Sequence, residues 1–320
     1  MDNCTTTELI HKLDAIQNPA LLLKNSKIMY GNSAAERIFG TIWCGHGPEA
    51  MFDKIVGAHL NAPCELYNMY SRDGVKYDLC MWQDDEYFIL ELLPDAGKLT
   101  ADAAADLMQC ISIKLLDLLQ GCSIRSCDEK YMRQFTRLAR HIGDLAQFEK
   151  NSKLYTPVLL DVREYLKTFA ERLQQELSVS RIRVLPLKNT LLMELDAIKF
   201  DVVMYNLLSN ALKFSPNESD VIVRPWSERG MLYIAVEDEG AGFDFNAVRS
   251  AAQAKLGLEL VDRIVKLMDG QWLKHNNNGA CVAIGIPVVT STRLQLRDIA
   301  PIYNNGSVIE LLRMEMAEYV

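Results

Sequence analysis

The stretch Asn206-Leu-Leu-Ser-Asn210-Ala-Leu-Lys213-Phe214-Ser215-Pro216 decides the fold, because it places three polar residues at helical spacing in an otherwise apolar segment. Asn206, Asn210 and Lys213 follow one another at intervals of four and three residues, so they share one helix face. The sequence from Asp196 to Phe214 predicts one long helix that carries this face. Two amides and an ammonium group suit an anionic, oxygen-rich ligand with a hard cation such as Mg²⁺.

Two glycine-containing motifs come after this helix. A predicted strand ends at Asp238, and a DxGxG turn with Gly240 and Gly242 follows it. Glycines let a backbone approach a flat ligand closely, and a buried carboxylate can accept a hydrogen bond from an exocyclic amine. Gly257 begins a second amphipathic helix, Gly257–Met268, whose first N–H groups and positive dipole end would attract a phosphate. Each motif is weak alone, so their order and spacing carry the information.

In this order the motifs resemble the ATP-binding domain of sensor histidine kinases, within the wider family of type II topoisomerases, mismatch-repair ATPases and heat-shock chaperones. NLLSNALKFSP resembles the N box of that family, DEGAG the first glycine box and LGLELVDRIVKLMDG the second. The stretch from Asn277 to Pro287 is similar to the closing glycine motif and final strand. The resemblance covers roughly residues 158–290. It implies a two-layer α/β sandwich that binds ATP with Mg²⁺.

The resemblance also implies a role for each matching residue. Asn210 would ligate Mg²⁺, Asn206 and Lys213 would support the phosphates, and Asp238 would recognise adenine. The other matching positions are glycines that would shape the pocket: Gly240, Gly242, Gly257 and Gly279.

The segment that would close over the nucleotide is short. Gly242 and Gly257 are fifteen positions apart, and the phenylalanine-rich box that the family carries between them is absent. Lys255 stands where a glycine is usual in the second glycine box. It would either reach a phosphate as a point charge or crowd the turn. These departures favour weak or rapidly exchanging nucleotide binding.

Asn206 bears on the type of reaction. The ATP-hydrolysing relatives place a glutamate at this position as the general base for water, and a neutral amide cannot accept a proton at neutral pH. The asparagine argues against a hydrolytic ATPase and favours a phosphotransferase-like or purely binding role.

The segments that precede this domain agree with the resemblance. Residues 1–97 contain a predicted hairpin, Ala20–Leu23 with Lys27–Tyr30, and a short helix up to Gly40. Strands are predicted near Lys76–Trp82 and Tyr87–Leu93. The order of these elements resembles the start of a PAS sensor domain.

Residues 98–152 predict a helical hairpin. Two sets of apolar residues repeat with heptad spacing: Met108, Ile111, Leu115, Leu118 and Cys122, then Tyr131, Phe135, Leu138, Ile142 and Leu145. RLARHIGDLAQFEK, residues 137–150, is similar to the second helix of the histidine-kinase dimerisation hairpin. A hairpin of this length buries little surface alone, which favours a homodimer over two core helices of a monomer.

The hairpin departs from the family at the phosphoacceptor. Residues 100–121 contain no histidine, and His141 on the second helix lacks the usual following acid and proline. A surface histidine beside the seam is favoured over an unusual phosphoacceptor at this position. Three hypotheses follow: a kinase that phosphorylates His141 or a partner's histidine, an inactive pseudokinase scaffold that docks a response regulator or another signalling protein, and, ranked lower, a Ser/Thr kinase of the anti-sigma type. Whether the chain is an enzyme stays open.

Composition sets the remaining expectations. The 320 residues predict an α+β protein divided into 1–97, 98–152, 153–290 and a C-terminal tail, 291–320, with a final helix near Val308–Tyr319. A net charge of −8 argues against a nucleic-acid partner. No apolar run is long enough to span a membrane, so the prediction is a cytoplasmic protein with no membrane segment. Eight scattered cysteines without a CxxC pair are expected to be reduced, mostly packing residues.

Overall fold

The computed structural model describes residues 2–40, 44–47, 62–70, 75–94, 136–142, 155–245, 256–289, 306–317 and 319. The chain forms two compact units. The first comprises Met1–Gly97, Gly242–Val248 and Gln271–Ala280, and the second comprises Lys98–Ala241, Arg249–Gly270 and Cys281–Val320. The four sequence-based domain boundaries stay a prediction. Most of the predicted hairpin, including Met108 to Phe135, lies outside the described residues.

The described helices are α1 (Asp2–Asp14), α2 (Ser33–Phe39), α3 (136–142), α4 (Val162–Glu176), α5 (Ala197–Phe214), α6 (Leu256–Leu267) and α7 (Gly306–Glu315). The described strands are β1 (Ala20–Lys24), β2 (Lys27–Gly31), β3 (Cys64–Tyr70), β4 (Lys76–Asp84), β5 (Tyr87–Pro94), β6 (Val158–Asp161), β7 (Ile182–Val184), β8 (Leu192–Leu195), β9 (Val221–Glu228), β10 (Met231–Glu237), β11 (Gln271–Asn276) and β12 (Ala280–Pro287). This mixture of helices and strands confirms the predicted α+β class.

The first unit contains an antiparallel sheet in the order β2-β1-β5-β4-β3-β11. The predicted β1–β2 hairpin is confirmed, and Asn25 and Ser26 both have positive φ, as a tight two-residue turn requires. The predicted helix after it is α2, which Asn32 caps and Gly40 ends. Helix α1 packs on β1, where Leu9 and Leu13 join the buried core.

The second unit contains a sheet in the order β12-β10-β9-β7, in which β7 runs parallel to β9 and the other neighbours are antiparallel. Strands β6 and β8 form a separate antiparallel pair. Helix α5 packs against β9 and β10, and α6 packs against α5. The N-box helix is therefore surrounded by the sheet and other helices, which explains why nearly every residue from Phe200 to Leu212 is buried.

One predicted helix boundary is wrong. The spacing of Leu159–Leu177 predicts a helix throughout, but β6 occupies Val158–Asp161 and pairs with β8. Asp161 then begins α4 as its N-cap, because its carboxylate accepts a hydrogen bond from the Arg163 backbone N–H. The change from strand to helix therefore falls at Asp161, the residue that ends β6 and caps α4.

Helices α4 and α5 share a buried polar group, named here the Arg172 cluster and formed by Tyr165, Arg172, Asp201 and Tyr205. Arg172 Nη1 lies 2.8 Å from Asp201 Oδ2 and donates to the Tyr205 hydroxyl at 2.8 Å. The Tyr165 hydroxyl also donates to Asp201. Burial raises the pKa of Asp201, although the adjacent guanidinium opposes this. One cation meets one anion here, and both are sealed from solvent.

The C-terminal tail contributes α7, which confirms the predicted final helix. It packs on α4 and α5 and buries Leu311, Leu312 and Met316. Within the described residues, no helix is long and apolar enough to cross a membrane.

Candidate functional site

Helix α5, which carries the polar face, is held in place at both of its ends. Asp196 caps its start by accepting a hydrogen bond from the Lys199 backbone N–H at 3.1 Å. Arg181 holds its end by donating to the carbonyl oxygens of Leu212 and Pro216, at 2.7 and 2.6 Å. A cation at a helix C-terminus complements the helix dipole. Sequence reasoning missed Arg181, since its contacts are 31 and 35 residues away.

Asn206 is buried, and hydrogen bonds at both polar atoms fix the orientation of its side-chain amide. Its side chain is buried, and Nδ2 donates to the Val202 carbonyl at 2.8 Å. Oδ1 accepts from Arg137 Nη2 at 3.1 Å. A Cβ added at Gly257 would lie 2.6 Å from the same oxygen, so the start of α6 approaches Asn206 as closely as a glycine allows. The N box and the second glycine motif therefore come together at Asn206 Oδ1.

The other two polar residues of the face are more accessible. Asn210 is half-buried, one helical turn after Asn206. Lys213 is exposed, and its ammonium group lies 5.7 Å from the ring centre of Phe214. Lys213 also lines an open cavity with Arg181 and Tyr319.

The first glycine motif lies at the C-terminal end of α5, against Phe214. Asp238 is buried, and its Oδ1 accepts a hydrogen bond from the Gly240 backbone N–H at 2.7 Å. A Cβ at Gly240 would lie 2.5 Å from the Phe214 carbonyl oxygen, so only glycine allows this approach. A buried carboxylate and a bare backbone suit the amine edge and the flat ring of a purine. These residues and the bare Gly257 at the α6 N-terminus fit an adenine nucleotide.

Gly242 and Gly279 belong to the first compact unit. Gly242 has a φ of 76°, a conformation that favours glycine. The following residue, Phe243, exchanges two hydrogen bonds with the Asn276 side chain, at 2.7 and 2.9 Å. Gly279 accepts a hydrogen bond from the Asn277 backbone N–H in the turn before β12. Lys255 lies outside the described residues.

His141 is part of a buried group named here the Glu315 cluster, which comprises Arg137, Arg140, His141 and Glu315. Glu315, the last residue of α7, has a completely buried carboxylate. His141 Nε2 lies 2.9 Å from Glu315 Oε2, Arg137 Nε lies 3.0 Å from the same oxygen, and Arg140 Nη1 lies 3.8 Å from Oε1.

The surroundings of Glu315 determine its charge. Burial opposes ionisation, but the hydrogen bond and charge of His141 and the charges of the two arginines outweigh it and lower the pKa of Glu315. The carboxylate is therefore ionised at neutral pH and accepts its hydrogen bonds, with His141 Nε2 as a donor. The expectation of a surface histidine is wrong, because the side chain of His141 is only 5% exposed. Its role as a phosphoacceptor stays a prediction.

Similarity to known proteins agrees with this geometry. Residues 195–290 match the family described as histidine kinase-, DNA gyrase B- and HSP90-like ATPases. This segment contains the N box, the Asp238 motif and α6, whose contacts are described above. This part of the chain is an ATPase-type domain of that family, and the proteins that the chain resembles in it include sensor histidine kinases.

Two curated relatives illustrate the similarity. The chain is 29% identical over 135 residues to the sensor protein BasS of Escherichia coli, a match that covers 39% of this chain and 36% of BasS. It is 31% identical over 135 residues to the sensor histidine kinase WalK of Bacillus subtilis, covering 38% of this chain and 22% of WalK. The chain thus spans about a third or less of the length of these relatives.

Solved structures of histidine kinases are also similar. Histidine kinase AdeS of Acinetobacter baumannii is 23% identical, with a TM-score of 0.42 over 58% of this chain and 98% of that one. Histidine kinase ThkA, solved in complex with the response regulator protein TrrA, is 16% identical, with a TM-score of 0.40 over 87% of this chain and 98% of that one.

Proposed function

We propose that the chain binds Mg-ATP through residues 153–290 and acts in a two-component-type signalling pathway. The observation that carries the proposal is the convergence of the two glycine motifs on α5, the helix that contains the N box. Gly257 meets Asn206 near its middle, and Gly240 meets Phe214 at its end. Residues far apart in the sequence therefore come together around α5, which supports a nucleotide site at this helix.

The proposed roles follow from the chemistry of each group. Asp238 accepts a hydrogen bond from the adenine amine, and the amide oxygen of Asn210 ligates Mg²⁺. Gly257 opens the α6 N-terminus to phosphate, and Lys213 adds a positive charge. Gly240 keeps the backbone close to the ligand, and the roles of Gly242, Lys255 and Gly279 stay predictions from the sequence. The bound metal would supply charge neutralisation between phosphates.

Isothermal titration calorimetry of the full chain with MgATP tests the proposal. Asp238→Asn removes the charge of the proposed adenine acceptor, and Asn210→Ala removes the proposed metal ligand. Each variant is expected to weaken MgATP binding by about tenfold or more, equivalent to about 1.4 kcal/mol. Glu239→Gln is the matched control, because this exposed neighbour of Asp238 has no proposed role and should leave the affinity unchanged. Absence of wild-type binding would refute the proposal.

A second candidate, the non-catalytic scaffold, is favoured by the position of His141. A phosphoacceptor imidazole must be reached by the phosphate that it attacks, but the ring of His141 is buried and Nε2 is held by the Glu315 carboxylate. The scaffold would dimerise through residues 98–152 and dock a response regulator or another signalling partner.

Incubation with labelled ATP distinguishes the two candidates. Acid-labile phosphate on the wild type that is lost in His141→Ala supports a kinase, whereas partner binding that survives both His141→Ala and Asn210→Ala supports a scaffold. Light scattering of the full chain tests the proposed homodimer. The cytoplasmic location stays a prediction.

A further inference from the structure

The Glu315 cluster holds a partly exposed guanidinium group over a buried carboxylate. The carboxylate of Glu315 is completely buried, whereas the side chain of Arg137, which contacts it at 3.0 Å, is 21% exposed. The carboxylate is therefore sealed inside the protein, while the guanidinium group of Arg137 remains accessible to an anion from solvent.

Arg137 connects this cluster to the N box. Its Nε contacts Glu315 at 3.0 Å, and its Nη2 donates to Asn206 Oδ1 at 3.1 Å. The same amide oxygen lies against Gly257, the second residue of α6. The guanidinium group and the start of α6 thus both lie beside the same oxygen, and a guanidinium group and a helix N-terminus each attract anions.

Asn206 is poorly placed to contact that anion itself. Its Nδ2 donates to the Val202 carbonyl, and its oxygen, which can only accept, is engaged by Arg137. The amide instead orients the guanidinium group. Arginine offers several N–H donors in a planar fork that matches phosphate oxygens.

The position along α5 indicates which phosphate is involved. Phe214 meets the Asp238 motif at one end, and Asn206 lies eight residues earlier, roughly 12 Å along the helix axis. Asn210, the proposed Mg²⁺ ligand, lies between them. Arg137 is therefore at the end of the site that is most distant from the proposed adenine contact.

From these contacts we propose that Arg137 binds the terminal phosphate of the nucleotide, and that Glu315 of the C-terminal helix is the positioning residue that holds Arg137 in place. The inference rests on the proposed nucleotide site and deepens it. It gives the C-terminal tail a role, because α7 carries the carboxylate that links α3 to the N box.

Affinities of the full chain for MgATP and MgADP test this inference. Arg137→Gln is expected to weaken MgATP binding by about tenfold, as loss of a charge-assisted phosphate contact does, and to change MgADP binding by less than about twofold. Glu315→Gln should weaken MgATP selectively and by a smaller factor, since it loosens Arg137 without removing it. Arg313→Gln is the matched control, because this arginine of α7 pairs with Glu176 instead of Glu315 and has no proposed role, and both affinities should stay within about twofold of wild type.

The outcomes separate the two proposals. If the wild type binds neither nucleotide, the proposed site is refuted and this inference with it. If the wild type binds both and Arg137→Gln weakens them equally, or weakens neither, this inference alone is overturned. Arg137→Lys gives a second test if the glutamine variant unfolds. It keeps the charge but loses the fork, so we expect an intermediate, ATP-selective loss.

Discussion

The Arg172 cluster and the Glu315 cluster both hold a buried carboxylate in the second unit, yet their arginines differ in access to solvent. In the first, the side chains of Arg172 and Asp201 are 1% and 3% exposed. In the second, the carboxylate of Glu315 is completely buried, but the side chains of Arg137 and Arg140 are 21% and 27% exposed. A sealed cluster joins helices, whereas a cluster with an accessible guanidinium group is suited to a ligand. Burial of the carboxylate alone does not separate structural from functional charges.

The largest expected effect comes from breaking the sealed cluster. Arg172→Met leaves Asp201 buried without its counter-charge, which typically costs about 3–5 kcal/mol of folding free energy. Urea unfolding of the full chain measures this loss. The matched variant Arg137→Met should cost about 1.5 kcal/mol, because its site is partly solvated and Glu315 keeps His141 as a partner. Equal losses would contradict the distinction between the two clusters.

Two glycines offer a second contrast. Gly240→Ala would place a Cβ 2.5 Å from the Phe214 carbonyl oxygen, a backbone atom that cannot rotate away, so we expect a loss of about 1–3 kcal/mol. Gly257→Ala would meet the Asn206 side chain at 2.6 Å. The Asn206 side chain can rotate away from the new methyl group, but this breaks its hydrogen bond with Arg137. We therefore expect mainly weaker MgATP binding and a smaller loss of stability. Chemical denaturation and calorimetry on both variants check the pair, and a reversed pattern would count against this description of the site.

The pH dependence of stability probes Glu315. Its pKa is lowered in the folded protein, so its ionised form stabilises the fold above the ordinary carboxyl pKa, and this contribution is lost as the pH falls through the folded value. Wild type should therefore exceed Glu315→Gln in stability at pH 7, with a difference that shrinks towards acid pH. Unfolding curves at several pH values measure it. A difference independent of pH would show that the carboxylate charge is not what holds the cluster.

The smallest effect concerns two buried thiols. Burial raises the pKa of Cys64 and of Cys281 to about 12, so neither thiol ionises at neutral pH. Cys44 is exposed. Iodoacetamide labelling followed by peptide mass spectrometry should modify Cys44 in the native protein and the two buried thiols only after denaturation. Native labelling of Cys281 would indicate that β12 is less protected than described.

Local sequence patterns predicted much of the fold. The spacing of apolar residues indicated α5, α6 and α7, and the turn residues Asn25-Ser26 and Arg229-Gly230 fit the two hairpins that they close. Strand β3 was missed because Asn68, with positive φ, interrupts its alternation where the register with β4 shifts. A two-residue periodicity cannot be read across such a bulge.

The candidate site was predicted only where its residues lie in motifs. Asn206, Asp238, Gly240 and Gly257 occur in recognisable stretches, and the structure brings them to α5. Glu315 carries no local signal, because its partners Arg137 and His141 are 178 and 174 residues away. The same distance explains the wrong expectation for His141, since the distant carboxylate of α7 makes burial of its polar ring favourable.

Hydrogen exchange with and without MgATP tests most directly the claim that the Glu315 cluster belongs to a nucleotide site and the Arg172 cluster does not. We expect slower exchange on MgATP addition in peptides that cover 136–142, 206–214 and 256–260, and unchanged exchange in 162–176. Protection of 206–214 without any change in 136–142 would contradict the role given to Arg137. No protection anywhere under saturating MgATP would contradict the nucleotide site itself.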